Sequence, residues 1–244
     1  PLLHNPVHLL KNYRMPLFKE RSFFHHYTDV LYNTAGEATA RLINFLETKT
    51  DYDMNLVWQS ILRTNSLSDI VRCAQLSRVL PSDVFFNKEN KSILKVGLVY
   101  HAYYEELFDQ NISYMKNFPD DTSVLVTTNT KEKKDLIEEK LKQAGLKGNV
   151  VVIENRGRDV SSLLVGAAEF IFDYDLICFA HDKKSDHTNP QSVCRSWAYK
   201  INENMFGTKE YVSNIIYLFE KEERLGIAFP SAPNHNGFIN LGTG

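Results

Sequence analysis

Four short apolar runs without polar alternation, separated by helical stretches, constrain this chain more than any other feature. They are Ile93 to Tyr100, Ser123 to Thr127, Asn149 to Glu154 and Leu176 to Ala180. A strand with one wet face alternates apolar and polar residues, whereas a strand buried on both faces reads as a continuous apolar run. Such runs alternating with helices indicate a parallel sheet covered on both sides. Helices are predicted over the amphipathic stretch carrying Leu107, Ile112, Met115 and Phe118, over Lys131 to Ala144 before Gly145, and over about Val160 to Phe172. Two more, near 192–203 and 208–221, precede Leu225 to Phe229, an apolar run ending at Pro230 that is predicted as a further strand. The fold class is α/β: an open, mainly parallel sheet with flanking helices.

The first third reads differently. Ala40, Ile43 and Leu46, then Leu56, Val57 and Ile61, recur at helical spacing with few β-branched runs. Thr50-Asp51-Tyr52-Asp53 supplies N-cap chemistry for the helix carrying Trp58, and Asn65 to Asp69 does so for a helix predicted to reach Leu80, where Pro81 ends it. The polar, aperiodic stretch that follows marks a linker near 82–92. Two regions are expected: a mostly helical one over 1–92 and the α/β domain over 93–244. The lack of an initiator Met and the Gly242-Thr243-Gly244 end suggest an excerpt of a longer protein.

Composition narrows the function. Lys and Arg total 28 against 30 Asp and Glu, and a net charge of −2 offers no long-range attraction to nucleic acid. Cys73, Cys178 and Cys194 form no CxxC pair, and Cys178 sits in an apolar run, which fits a reducing, cytoplasmic setting. No run approaches the roughly 20 apolar residues of a membrane span, and no signal pattern opens the chain. GxSxG, HExxH, the P-loop lysine motif and GxGxxG are all missing, and His25, His26, His187 and His235 lack metal-ligand spacing.

In open parallel sheets ligands bind beyond the carboxyl ends of the strands. Four polar turns stand there: Tyr100-His101-Ala102-Tyr103, Thr127-Thr128-Asn129-Thr130, Glu154-Asn155-Arg156-Gly157-Arg158-Asp159 and His181-Asp182-Lys183-Lys184-Ser185. In the third, two arginines flank a glycine before a predicted helix, an arrangement suited to a diphosphate: planar forks for oxygens, close backbone approach, and a favourable helix end. Asp159 caps that helix or pairs with an arginine or a ribose hydroxyl; the plain alternative is a solvated surface turn. In the fourth, Asp182 suits a divalent cation, Lys183 and Lys184 suit leaving-group charge, and His181 suits proton exchange. The plain alternative is a turn with solvated lysines. Tyr100, His101 and Thr128 are further donor-site candidates, with core packing as the other reading for the aromatics.

Asn155 to Asp159, a helix, and then Tyr174 to Ser185 resemble rhamnan synthesis protein F, with support from Val99-Tyr100-His101, Val126-Thr127-Thr128, Trp197 and Leu225 to Pro230. The resemblance covers about residues 94–232 and, less strongly, the helical region around Tyr52 to Trp58. It implies a bacterial glycosyltransferase of cell-surface polysaccharide synthesis, moving rhamnose from dTDP-rhamnose to a lipid-linked glycan at the inner face of the plasma membrane. The alternative is a non-catalytic nucleotide-sugar or glycan-binding module of a larger synthase; a phosphatase using Asp182 would need further strand-end acids. The layout is also similar to the GT-A class, a Rossmann-like fold in which an acidic motif holds Mg²⁺ or Mn²⁺. His-Asp-Lys-Lys here departs from Asp-x-Asp. Asp182, His181 and Asp159 are the catalytic candidates implied, with His101 a further candidate base.

Overall fold

A computed structural model describes residues 5–14, 39–67, 70–71, 74–87, 92–184 and 191–231. The chain divides into two compact units, Pro1–Val79 and Leu80–Asn240.

In the first unit, helices α1 (Pro6–Tyr13), α2 (Thr39–Lys49) and α3 (Met54–Thr64) surround Leu42, Ile43, Leu46, Ile61 and Ile70. The capping chemistry appears where the sequence put it for α3: Asp53 accepts a hydrogen bond from the Asn55 N–H at 2.9 Å. The helix expected to reach Leu80 stops sooner. Gln75 adopts φ +56°, the Leu76 N–H returns to the Val71 carbonyl, and residues 76–80 have no regular structure. A left-handed residue with a six-to-one hydrogen bond closes a helix without glycine or proline, so the stop signal was invisible in the residue types.

The second unit is built on four parallel strands: β1 (Val96–His101), β2 (Ser123–Thr128), β3 (Gly148–Val152) and β4 (Leu176–His181), ordered β3-β2-β1-β4. Helices α4 (Phe108–Met115), α5 (Lys131–Gln143), α6 (Gln191–Phe206) and α7 (Lys209–Lys221) complete the order, with a 3₁₀ turn at Glu105–Leu107. Because side chains alternate across a strand, β1 sends Val96, Leu98 and Tyr100 to one face and Val99 to the other. The first face packs with Val124, Val126, Phe108, Ile112, Met115, Ile137, Leu141, Phe206, Val212 and Ile216. The second face packs with Leu125 and Ala167 under Leu163, Phe170 and Ile171. Asn214 of α7, fully buried, fastens residues 81–86 to this unit through the Pro81 and Val84 carbonyls and the Phe86 N–H.

Two expectations fail here. Leu225–Phe229 is not a strand: it has no ladder partner among the described residues, and Ile227 is 73% and Phe229 51% exposed. Apolar composition alone does not make a strand, because the backbone must also pair with a neighbour. The helix expected over about 160–172 is one α turn (Arg158–Ser161), a π turn (Ser162–Gly166) and a 3₁₀ turn (Ile171–Asp173). The Ser162 hydroxyl lies 2.5 Å from the Thr127 hydroxyl, and a Cβ on Gly166 would lie 3.0 Å from Ile153 Cγ2. These contacts with the sheet override the regular helical path.

Candidate functional site

Because β4 lies beside β1 while β2 and β3 lie on its other side, the strand order reverses between β1 and β4. Ligand crevices of open α/β sheets form at such a reversal, at the carboxyl ends. Here the two strands run in register, with His101 opposite His181, and Asp182 bridges the reversal. Its Oδ2 accepts the N–H groups of Tyr103 at 2.8 Å and Tyr104 at 2.7 Å, while its own N–H donates to the His101 carbonyl at 3.1 Å. Asp182 is 7% exposed, and burial pushes its carboxyl up to about 6 even though both backbone donors favour the charged form.

A buried polar chain lies beneath. His101 Nδ1 is 2.9 Å from Thr127 Oγ1, which in turn meets Ser162 Oγ. Burial, and then the neighbouring His181, lower the His101 pKa, so its imidazole is neutral near pH 7. His181 Nδ1 is 2.8 Å from the Asp182 carbonyl, which makes Nδ1 the donor. His181 Nε2 then faces the Asp159 carboxylate at 3.7 Å, both side chains being about one-third exposed.

The arginine turn reaches both halves of this arrangement. Asn155 Nδ2 approaches the Tyr103 hydroxyl at 3.4 Å, and Asp159 approaches His181. Gly157 at φ +88° and Arg158 at φ +53° turn the chain sharply, and neither Arg156 nor Arg158 makes an ion pair among the described residues. Gly157, not Asp159, holds the cap position, and no side chain caps the turn. Since only one α turn follows, little aligned dipole stands behind it, and the charge offered to an anion comes from the two guanidinium groups.

The lysines are placed unequally. Lys183 lies over the Trp197 ring at 5.4 Å, whereas Lys184 pairs with Glu106 at 2.8 Å and lies over Tyr104 at 5.6 Å. Lys133, which sequence reasoning overlooked inside the charged helix α5, donates to the Tyr103 carbonyl at 2.5 Å and to Asn129 Oδ1 at 3.1 Å, and lies 4.6 Å from the centre of the Tyr103 ring. Tyr103 is thereby held through its N–H, carbonyl, hydroxyl and ring. No motif could have signalled this, since the contacts come from helix α5, the turn after β3 and the turn after β4 at once.

Two candidates stand apart. Tyr100 points into the core on the helix-covered face, 7% exposed, with its hydroxyl pKa raised by burial, so it is no stacking surface. Thr128 is fully buried on the same face, and its hydroxyl lacks a partner among the described residues. Alternation along β1 and β2 decides both cases. Ser185, His25, His26, His187, His235 and Cys73 lie outside the described residues.

The residues present fit a divalent cation poorly. Among the described residues no group of three or more His, Cys, Asp or Glu side chains converges, and one oxygen of Asp182 already accepts two N–H groups. No described helix is long and apolar enough to cross a membrane.

No curated protein and no solved structure matches this chain. The sequence profile of the family described as rhamnan synthesis protein F matches residues 1–244. Sugar-related partners follow in general terms from that family. The motif from Asn155 to Ser185 and the parallel sheet that carries it agree with the match, and the chain belongs to the rhamnan synthesis protein F family, with a role in rhamnan synthesis.

Proposed function

We propose that the rim between β1 and β4 is the donor site of a glycosyltransferase, which moves rhamnose from dTDP-rhamnose to a lipid-linked glycan at the inner membrane face. The observation that carries this reading is the arginine turn, tied to β1 through Asn155 and Tyr103 and to β4 through Asp159 and His181. Two guanidinium groups without an ion pair among the described residues, beside a strand-order reversal, match the oxygens of a nucleoside diphosphate. Tyr103, immobilised on four sides, offers a ring for the base, and Lys183 adds charge for the leaving group.

Transfer forms a bond from an acceptor hydroxyl oxygen to the anomeric carbon and breaks the bond from that carbon to the diphosphate. The electron pair leaves with the diphosphate, where Arg156, Arg158 and Lys183 stabilise it. The hydroxyl proton goes to a base. Asp182 is buried and bonded to two amides, and His101 is buried and bonded to Thr127, so Asp159 is the carboxylate accessible for that role. His181 Nε2 lies 3.7 Å from it.

Calorimetric titration with dTDP and dTDP-rhamnose, with UDP and GDP as controls, tests the reading. Arg156→Ala and Arg158→Ala should each weaken dTDP binding about tenfold or more, as expected for loss of a charge-assisted phosphate contact. Full dTDP affinity in both variants removes the arginine assignment. Donor binding without turnover in the presence of a glycan acceptor favours the non-catalytic module.

A further inference from the structure

The GT-A resemblance gives the strand-end acid to a metal ion, but the geometry of Asp182 serves a different purpose. A carboxylate that binds Mg²⁺ or Mn²⁺ turns its oxygens toward other oxygen ligands in open or shared space. Asp182 is 7% exposed and directs Oδ2 at two backbone donors on the adjacent strand's loop, 2.8 and 2.7 Å away. The next two residues are Lys183 and Lys184, and the Lys133 ammonium also favours the charged form of Asp182. Among the described residues no group of three or more His, Cys, Asp or Glu side chains converges there to complete a dication's ligand set. A cation held by both carboxylate oxygens would also compete for Oδ2, the acceptor of the two half-buried N–H groups.

We infer that Asp182 is a positioning residue, not a metal ligand: its carboxylate fixes the Tyr103–Tyr104 turn across the strand-order reversal, and arginine and lysine side chains handle the diphosphate without a divalent cation. This inference rests on the rim being the donor site. The clamp explains why Tyr103 and Tyr104 keep an edge-to-face pair at 5.0 Å although both are only half-buried. It also gives the buried carboxylate an acceptor role that a side-chain amide can fill. Asn in place of Asp182 still presents one carbonyl oxygen to both N–H groups, but it is a much weaker ligand for a hard cation.

The test compares the full chain with its Asp182→Asn and Asp182→Ala variants. It uses dTDP titration in EDTA and with Mg²⁺ or Mn²⁺, Mn²⁺ titration alone, and hydrogen exchange at the Tyr103 and Tyr104 amides. The expected result is a wild-type dTDP affinity unchanged within about twofold by EDTA, near-wild-type affinity in Asp182→Asn, and a loss of about tenfold or more in Asp182→Ala, with fast exchange at both amides only in the Ala variant. Metal-dependent dTDP binding in the wild type overturns the metal-free reading, and its loss in Asp182→Asn also overturns the positioning role of Asp182. If the wild type binds no nucleotide under any condition, the donor-site reading fails separately, and the other two measurements decide Asp182. Saturable Mn²⁺ binding lost in Asp182→Asn then overturns its assignment. Absent Mn²⁺ binding, with amide protection kept by Asn and lost in Ala, upholds it. Should Asp182→Ala fail to fold, the Asn variant alone carries the same decision.

Discussion

Arg158 occupies φ +53° directly after Gly157 at φ +88°, so two consecutive residues lie in the left-handed region. For an L-residue with a side chain that conformation costs about 1–2 kcal/mol. Arg158→Gly removes the cost but adds about 0.5–1 kcal/mol of backbone freedom in the unfolded chain. The net expectation is a stabilisation of about 0.5–1 kcal/mol, which for a chain of this size raises Tm by roughly 1–4 °C. If the strain serves the phosphate site, the same substitution weakens dTDP binding about tenfold by removing a guanidinium fork. Arg158→Ala is the control, because it keeps the strained backbone and loses the fork: affinity falls and Tm does not rise. Thermal melting by circular dichroism and calorimetric titration on the same samples read both quantities. A Tm lower than wild type in Arg158→Gly refutes the strain argument. A raised Tm with full affinity refutes the claim that the turn is strained for binding.

Two further predictions concern stability. The Asp182 carboxyl lies at about 6 in the folded chain against an ordinary 3.8, with Tyr100, His181 and Lys133 as its charged or titratable neighbours. A raised pKa means that its stabilising contribution is complete below about pH 4 and is lost as pH rises through about 6, to a limit of roughly 3 kcal/mol. Urea unfolding of Asp182→Asn should therefore show a flatter pH dependence between about pH 4 and 7, and parallel curves for the two proteins would rule this out. Asn214→Ala leaves two carbonyls and one N–H of residues 81–86 without their partner, and should cost about 2–4 kcal/mol. An unchanged urea midpoint would show that water replaces the clamp without penalty.

The strands and the polar turns after them were legible because burial on both faces leaves a local trace, a continuous apolar run, and because a turn at a strand's end must be polar where it meets solvent. Arg156, Arg158, Asp159 and His181 were read as candidates in that way. Lys133 was not, since a lysine third in a charged helix reads as solvated until β1 is known to lie beside β2. Tyr100 and Thr128 were candidates because they end strands, yet they lie on the helix-covered face. Leu225–Phe229 has the composition of a strand but pairs with no strand among the described residues, and the stretch from Arg158 gave up helical regularity to bring Ser162 against Thr127.

Sequence by itself determined the α/β class, the parallel sheet, the family and the residue types at the rim, because each leaves its record in neighbouring residues. Tertiary structure decided which of those residues meet. Strand order put His101 beside His181 and brought the amides of Tyr103 and Tyr104 to Asp182. Burial then fixed what the carboxylate can do. Pairing between residues about 80 positions apart depends on which strand edges adjoin, and a local pattern carries no record of that choice.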